Sequence, residues 1–346
     1  MQEITISKLE SGQSLRKMLF KYFSGAPNSF VYKMLRKKNI TLNGKRAQGN
    51  EVLQEGDVIK LFLSQETIDK FISNESLIDE NLVGEFHVVE TTSEFLERDS
   101  FDGKEELEII FENQDVLLLN KPVGVLSQKA KGSDVSMVEY IILYLLRSGA
   151  ISRELLKTFK PSICNRLDRN TSGLITAGKT MAGLQELNKM FHERTVEKYY
   201  LCIVNGEVKE STTVKGYLHK DEKSNKVTIL SDETGDYIET QYIPLKVSKG
   251  LTLIKVKLIT GKTHQIRAHL ASCGYPLLGD YKYGDKAIND KFKRKYGLEN
   301  QLLHSYSLIF PETTGTLASL SGREFEAKPP KQFIEIVEGE GLTGII

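Results

Sequence analysis

The sequence predicts an α+β fold in which a small α/β module precedes a larger domain, built on a mixed, mainly antiparallel β-sheet flanked by helices. Beyond residue 199, runs of strand-forming residues follow one another through short polar connections. Such succession is typical of antiparallel sheets rather than βαβ units. A basic N-terminal segment and an acidic stretch come before this region, and 346 residues suit about two domains. We therefore place the module at residues 11–63, an acidic linker at 64–106 and the larger domain at 107–340.

The module begins with two predicted helices. Apolar residues at helical spacing over residues 15–23 indicate the first helix. The second begins near Asn28 or Ser29, both good N-cap residues. Since each residue turns a helix by about 100°, the apolar side chains of the second helix lie opposite its cations. Those cations are Lys33, Arg36 and Lys37.

A hairpin and a strand complete the module. Residues 40–42 lead into Asn43-Gly44, which is a strong hairpin turn signal. Lys45 and Arg46 follow the turn directly and extend the basic character of the second helix. A helical lysine cluster is often only a solvated face, but this continuity favours a phosphate-binding surface.

These elements resemble, in their order, the small RNA-binding module named after ribosomal protein S-four. The resemblance covers the whole segment and ends in a strand entered through Gly56-Asp57. It implies contacts to RNA from the cations Lys33, Arg36, Lys37 and Lys45. The acidic residues 64–106 then predict an interdomain linker, with a short strand at 86–89. The linker is either a plain spacer or a segment that its charge repels from RNA.

The larger domain alternates strands with a few helices. Polar turns and period-two patterns predict its strands, at residues 107–111, 116–119, 174–177, 199–204, 212–218, 226–230, 237–246 and 251–258. Helical spacing predicts three helices, at residues 135–147 with a cap near Asp134, from Thr180 onward, and from a Thr263 cap to before Gly274.

Asp168 lies in the segment that carries most chemical information, Asn165-Arg166-Leu167-Asp168-Arg169-Asn170-Thr171-Ser172-Gly173-Leu174. Neighbouring cations favour the ionised carboxylate. Guanidinium groups also match phosphate oxygens. The segment therefore predicts an anionic nucleophile or base presented to a phosphate-rich ligand, although a simple Thr-Ser-Gly turn has the same local pattern.

Composition excludes several classes of protein. The net charge of +1 and the charged fraction of 27% are ordinary for a globular protein. The three cysteines are far apart and form no C-x-x-C pair, so we expect neither a disulfide framework nor a cysteine zinc site. Apolar runs are too short for a membrane helix, and the N-terminus lacks a signal peptide pattern. We expect a cytoplasmic, monomeric protein.

Three further segments accompany the Asp168 segment, in order: Glu197-Lys198-Tyr199-Tyr200, Gly261-Lys262-Thr263-His264-Gln265-Ile266-Arg267, and Gly274-Tyr275-Pro276-Leu277-Leu278-Gly279-Asp280 with Tyr283-Gly284. With Arg-Leu-Asp-x-x-Thr-Ser-Gly-Leu, they resemble the pseudouridine synthases that modify large-subunit ribosomal RNA and some transfer RNAs. The resemblance spans nearly the whole chain. It implies an isomerase that breaks the glycosidic bond of a uridine, rotates the uracil and rejoins it through carbon 5, with no metal or cofactor.

The resemblance also implies roles for individual residues. Asp168 is the catalytic aspartate, as nucleophile at the ribose or as a base on it. Tyr200 stacks on the flipped base and shuttles a proton. Arg267 pairs with Asp168 and keeps it ionised. Arg166 is a phosphate or wedge residue.

Further RNA contacts are expected from both the sheet and the helix. Lys121 and Lys198 are expected backbone contacts, with ordinary surface lysines as the alternative. His264 and Gln265 open a helix whose N–H groups attract anions. Asn165 stands where the family has histidine or glycine and keeps hydrogen-bonding ability, and Lys262 replaces the usual arginine.

Competing interpretations remain open at this point. The target is a uridine of ribosomal RNA or, within the same family, of transfer RNA. A non-catalytic RNA-binding factor for ribosome assembly would share the basic module and the arginine-rich loop. A carboxylate-based hydrolase would need a second carboxylate, for which Asp280 is the obvious candidate. A metal site at His264, His269 and Cys273 is disfavoured, because a five-residue spacing does not place both histidines on one helical face.

Overall fold

The computed structural model describes residues 1–72, 86–90, 105–132, 134–221, 226–230 and 234–343. Its strands form two sheets, one of four strands and one of twelve. This arrangement confirms the predicted α+β class. Most of the predicted acidic linker lies outside the described residues, apart from its first residues and a strand at Phe86–Glu90 that confirms the one expected there.

The N-terminal module consists of an antiparallel sheet covered by two helices. The strand order is β1-β4-β2-β3. The strands are β1 (Gln2–Thr5), β2 (Ile40–Leu42), β3 (Lys45–Arg46) and β4 (Val58–Leu61). The helices are α1 (Leu15–Tyr22) and α2 (Asn28–Arg36). Ser14 caps α1, whereas α2 follows Pro27 without a side-chain cap. Their apolar faces close one hydrophobic core.

A third helix, α3 (Gln65–Phe71), extends this module past residue 63. Its Ile68 belongs to the module core, and the Gly25 amide donates to the Phe71 carbonyl at 3.1 Å. The first residues of the acidic segment are therefore a packed helix.

The twelve-stranded sheet is mixed and mainly antiparallel. Its main path is β12-β11-β13-β14-β10-β15-β9-β7-β6-β5, with β16 on β15 and β8 on β9. The strands are β5 (Phe86–Glu90), β6 (Glu105–Glu112), β7 (Val116–Lys121), β8 (Ser162–Ile163), β9 (Ser172–Gly178), β10 (Glu197–Asn205), β11 (Thr212–Asp221), β12 (Lys226–Leu230), β13 (Asp236–Ser248), β14 (Leu251–Leu258), β15 (Leu303–Ile309) and β16 (Glu324–Glu326). Every predicted strand is present. The parallel pairs are β5 with β6 and β9 with β15.

Helices flank this sheet and differ from the prediction at their caps. They are α4 (Met137–Arg147), α5 (Met181–Glu193), α6 (Gln265–Ser272), α7 (Lys286–Tyr296) and α8 (Lys331–Gly339). Ser136, not Asp134, caps α4 through a capping box with Glu139. The cap of α6 is His264 in the left-handed conformation, not Thr263. No helix in the described ranges is both long and apolar enough to cross a bilayer.

The parallel contact of β9 with β15 requires a glycine. Gly173 has a φ of +109°, and a Cβ atom there would lie 2.2 Å from the Ser305 carbonyl oxygen. Since backbone carbonyls cannot give way to that extent, no other residue fits at this position. The close approach fixes the Asp168 loop beside the centre of the sheet.

The module docks on the larger domain through buried polar contacts. The Met181 amide donates to the Leu9 carbonyl at 2.8 Å. The Thr158 hydroxyl donates to the Glu10 carboxylate at 3.1 Å, and the Gln13 amide donates to the Thr158 carbonyl at 3.3 Å. Glu10, Gln13 and Thr158 are all buried. The two domains are therefore in direct contact and are not joined by the linker alone.

Candidate active site

Asp168 lies in the loop between β8 and β9, which a serine clamps from the side. The Ser127 hydroxyl accepts from the Leu167 amide at 2.9 Å and donates to the Leu167 carbonyl at 2.7 Å. The Thr171 amide donates to the Asp168 carbonyl at 3.0 Å and closes the turn. The Asp168 side chain remains 26% exposed, so a ligand can reach its carboxylate.

Lys121 holds the same loop through hydrogen bonds from its side chain. Its Nζ donates to the carbonyls of Pro122, Val125 and Arg169 at 2.8, 2.8 and 3.0 Å. Burial lowers the pKa of Lys121 to about 7, and the Asp168 charge raises it. Three carbonyls use the three N–H donors of the ammonium group. The prediction that Lys121 contacts the RNA backbone is therefore wrong, because this side chain is fully enclosed.

Arg267, on α6, joins two carboxylates. Its Nη1 donates to Asp168 Oδ2 at 3.0 Å, while its Nε and Nη2 donate to Asp280 at 2.7 and 3.0 Å. Burial disfavours the charged guanidinium, but the hydrogen bonds and charges of Asp280 and Asp168 raise the pKa of Arg267 overall. The Asp280 side chain is 0% exposed, and both of its carboxylate oxygens accept hydrogen bonds from Arg267. This geometry removes it as the second catalytic carboxylate of a hydrolase.

Tyr200 lines the same cleft as this ion pair. It lies on β10 opposite Ser305 of β15, and it is 6% exposed. Burial and, to a smaller extent, the Asp168 charge raise the pKa of Tyr200 to about 12, against the hydrogen bond with Ser305, which lowers it. The hydroxyl is therefore protonated at neutral pH.

His264 lies beside Asp168. Its backbone is left-handed, with φ of 54° and ψ of 16°, and this conformation turns the side chain into the site at the start of α6. The Nε2 atom is 3.9 Å from Asp168 Oδ2, and Nδ1 is 3.0 Å from the Tyr283 hydroxyl. Burial lowers the pKa of His264, against the Asp168 charge, which raises it.

An open cleft with about 440 Å³ of space unites these side chains. Its polar walls are formed by Arg166, Asp168, Tyr200, Lys262, His264 and Arg267. Arg166 is exposed at its edge.

Two amides that were predicted to contact RNA face the protein instead. Asn165 donates to the Leu174 carbonyl at 3.1 Å and accepts from the Thr176 amide at 2.7 Å. Gln265 borders the cleft, but it is 2% exposed and its Nε2 donates to the Glu239 carbonyl at 3.1 Å. These amides organise the backbone of the Asp168 loop and of α6. The enclosed amide of Gln265 does not fit the predicted contact to RNA, whereas for the half-buried Asn165 that contact stays a prediction.

The remaining predicted cations lie in different places. Lys198 is 9% exposed and is not part of the cleft wall, and burial lowers the pKa of this lysine, as does neighbouring Arg194. This burial does not fit a contact to the RNA backbone. Lys33, Arg36, Lys37 and Lys45 are all exposed on the module. None of these four lines the cleft.

Ser127 and Tyr283 had no predicted role but contribute to the site. Ser127 holds the Asp168 loop, and Tyr283 contacts His264 and Arg267. Only Tyr283 had a sequence signal, because it stands in the Tyr-Gly pair after Asp280. Within the residues that the structure describes, no group of three His, Cys, Asp or Glu side chains could hold a metal ion.

Comparison with known proteins agrees with this geometry. Residues 115–272 match a family model described as RNA pseudouridylate synthase. The chain is 31% identical over 309 residues to ribosomal large subunit pseudouridine synthase C of Haemophilus influenzae, covering 89% of this chain and 86% of the relative. The protein of the same name from Haemophilus ducreyi is 32% identical over 313 residues, with 89% and 87% covered.

The fold also matches a solved structure. Human RNA pseudouridylate synthase domain containing 4 superposes with a TM-score of 0.53 at 21% identity, covering 66% of this chain and 91% of that one. The fold, the family match and the relatives agree with one another. This chain belongs to the RNA pseudouridylate synthase family and is an isomerase that acts on RNA.

Proposed function

We propose that this protein converts specific uridines of large-subunit ribosomal RNA to pseudouridine, with Asp168 as the catalytic group. The observation that carries the proposal is the convergence of Asp168, Tyr200 and Arg267, which are far apart in the sequence, on one cleft. Arg267 holds the carboxylate at 3.0 Å and leaves it partly accessible. The variant Asp168→Asn, which should be inactive, tests this proposal.

The proposed reaction needs no redox partner. The bond from uracil N1 to ribose C1′ breaks, the uracil turns, and a bond forms from C5 to C1′. The C5 hydrogen then leaves as a proton, and N1 gains one. Asp168 acts on the ribose, either as a nucleophile or as a base, while the base leaves its stack to enter the cleft.

Tyr200 supplies a ring and a protonated hydroxyl beside the uracil. Because the pKa of Tyr200 is about 12, its hydroxyl is protonated. Tyr200 can therefore accept the C5 proton only if its hydroxyl gives its own proton to another group. Tyr200→Phe keeps the ring and removes the hydroxyl. We expect kcat to fall about 100-fold with little change in KM, as for loss of a general acid–base group. Single-turnover release of tritium from 5-tritiated uridine RNA measures this step. Unchanged turnover would restrict Tyr200 to stacking.

The choice of ribosomal RNA rests on two observations. The names of the curated relatives specify the ribosomal large subunit. The module also exposes its own row of cations, comprising Lys33, Arg36, Lys37 and Lys45. A second basic surface widens the phosphate footprint and suits a large, structured RNA. We propose that the module, which resembles the S-four domain, binds this RNA outside the cleft.

Modification mapping tests the target. Pseudouridines in total RNA should disappear at large-subunit ribosomal positions when the gene is deleted, and return when it is restored. A gene carrying Asp168→Asn is the matched control, since it should not restore them. Loss at transfer RNA positions alone would replace the ribosomal target with a transfer RNA.

We further propose that the protein acts as a monomer in the cytoplasm. A single chain supplies Asp168, Tyr200 and Arg267 to the cleft. A ribosomal substrate would be met in the cytoplasm. Sedimentation of the active protein with a substrate RNA fragment tests the stoichiometry.

A further inference from the structure

Tyr283 lies directly behind the residues that face the substrate. It follows the Asp280 turn, where the Asp280 carboxylate accepts from the Tyr283 amide at 3.2 Å. Its ring centroid is 5.2 Å from the Arg267 guanidinium carbon. The His264 ring meets the Tyr283 ring edge-on, with centroids 5.7 Å apart. Tyr283 is half-buried and is not among the residues that line the cleft.

The hydroxyl of Tyr283 lies between two nitrogen atoms. The Val227 amide of β12 donates to this oxygen at 3.0 Å. His264 Nδ1 lies 3.0 Å on its other side. A phenol has one proton to donate. The Val227 amide can only donate, so it does not use the phenol proton, which lies within reach of His264 Nδ1.

A proton donated by Tyr283 to His264 Nδ1 would fix which nitrogen of His264 carries hydrogen. A neutral imidazole has one donor and one acceptor nitrogen. When Nδ1 accepts from Tyr283, Nε2 carries the proton. Nε2 faces Asp168 Oδ2 at 3.9 Å, which is too long for a hydrogen bond. The Nε2–H group is thus a donor held ready for an oxygen atom of a bound nucleotide.

We propose that Tyr283 is a positioning residue, which holds His264 in the neutral form protonated at Nε2 so that His264 donates a hydrogen bond to an oxygen of the target nucleotide. The inference rests on the proposed function of the cleft. It assigns to His264 the role of a neutral donor rather than of a cationic phosphate contact.

The surroundings of His264 are consistent with this form. The charged groups that act on it are Asp168, Asp280, Arg267 and Lys282. Burial is the largest influence and lowers the pKa of His264, which favours the neutral ring. A hydrogen bond donated to Nδ1 also favours the neutral ring, because imidazolium cannot accept it.

Tyr283→Phe tests the assignment, because it removes the hydroxyl and keeps the ring on Arg267. In the full-length protein, nitrogen NMR of labelled histidine should show the Nε2–H tautomer of His264, and this preference should be lost in the variant. The His264 pKa should rise, so the acid limb of the kcat profile should move to higher pH. We expect kcat to fall about three- to tenfold at unchanged KM, the size of one lost hydrogen bond.

Tyr281→Phe is the matched control. Tyr281 is exposed, and its hydroxyl bonds only to the surface residue Asp290 among the contacts described for it. This variant should change neither the tautomer nor the pH profile. In a His264→Ala background, Tyr283→Phe should have no further effect on kcat.

Two results would overturn the inference: an Nδ1–H tautomer in the unmodified protein, or an equal effect of Tyr283→Phe with and without His264. The tautomer is read without turnover. Full activity of Asp168→Asn would therefore defeat the proposed function while leaving the tautomer result to stand or fall separately.

Discussion

Replacing Asp168 with asparagine should abolish pseudouridine formation, lowering the rate by at least about 10⁴-fold, as expected when the reacting group itself is removed. Asparagine has nearly the same shape, so the contact with Arg267 Nη1 can persist through its amide oxygen. It lacks the negative charge that both a nucleophile and a base require. The measurement is tritium release from 5-tritiated uridine RNA under single-turnover conditions.

RNA affinity should change by only a few-fold in the same variant, because the module cations and Arg166 remain. Asp69→Asn is a suitable control, since Asp69 is an exposed residue of α3 in the module. It should leave both activity and affinity intact. Residual isomerisation by Asp168→Asn at the original rate would exclude Asp168 as the catalytic group.

Replacing Asp280 with alanine should lower the free energy of unfolding by about 3 kcal/mol, the low end of the cost of breaking a buried ion pair, because Arg267 keeps its contact with Asp168. Asp280 is 0% exposed, and both its oxygens accept from Arg267. It also accepts from the amides of Lys282 and Tyr283. Its loss therefore leaves the buried Arg267 guanidinium with Asp168 as its remaining carboxylate partner and opens the turn. Urea denaturation followed by linear extrapolation measures the change.

The control for this prediction is Asp290→Ala. Asp290 also pairs with a cation, Lys286, but on the surface of α7. Exposed ion pairs contribute little to stability, so the free energy of unfolding of this variant should be close to that of the original protein. If the two variants were equally stable, the Arg267–Asp280 pair would not be a structural element of the site.

The sequence predicted the fold class because most strands of the larger domain either alternate apolar with polar residues or consist of continuous apolar runs. It did not predict β15, although this strand is central to the sheet. His304, Ser305 and Ser307 are polar and completely buried there, so neither apolar alternation nor an apolar run marks the strand. The parallel pairing of His304 with Ser172 also depends on a distant segment, which local pattern does not reveal.

The site was predicted unevenly for a related reason. Residue type and motif order brought Asp168, Tyr200 and Arg267 together correctly in space. The direction of a polar side chain cannot be read in this way. Lys121 and Asn165 have groups that suit RNA, yet both satisfy backbone groups inside the protein. Whether such a residue faces a ligand or a carbonyl is decided by tertiary packing.

β15, a late segment of the chain, lies between β9, which follows the Asp168 loop, and β10, which carries Tyr200. A chain leaves the ribosome N-terminus first, and pairing between distant segments forms late. The Asp168 loop cannot be set against Tyr200 until residues 303–309 have been synthesised and inserted. A nascent or C-terminally shortened chain would carry the catalytic motifs without an assembled cleft. Assembly of the cleft therefore depends on the C-terminal part of the chain as much as on the segments that carry Asp168 and Tyr200.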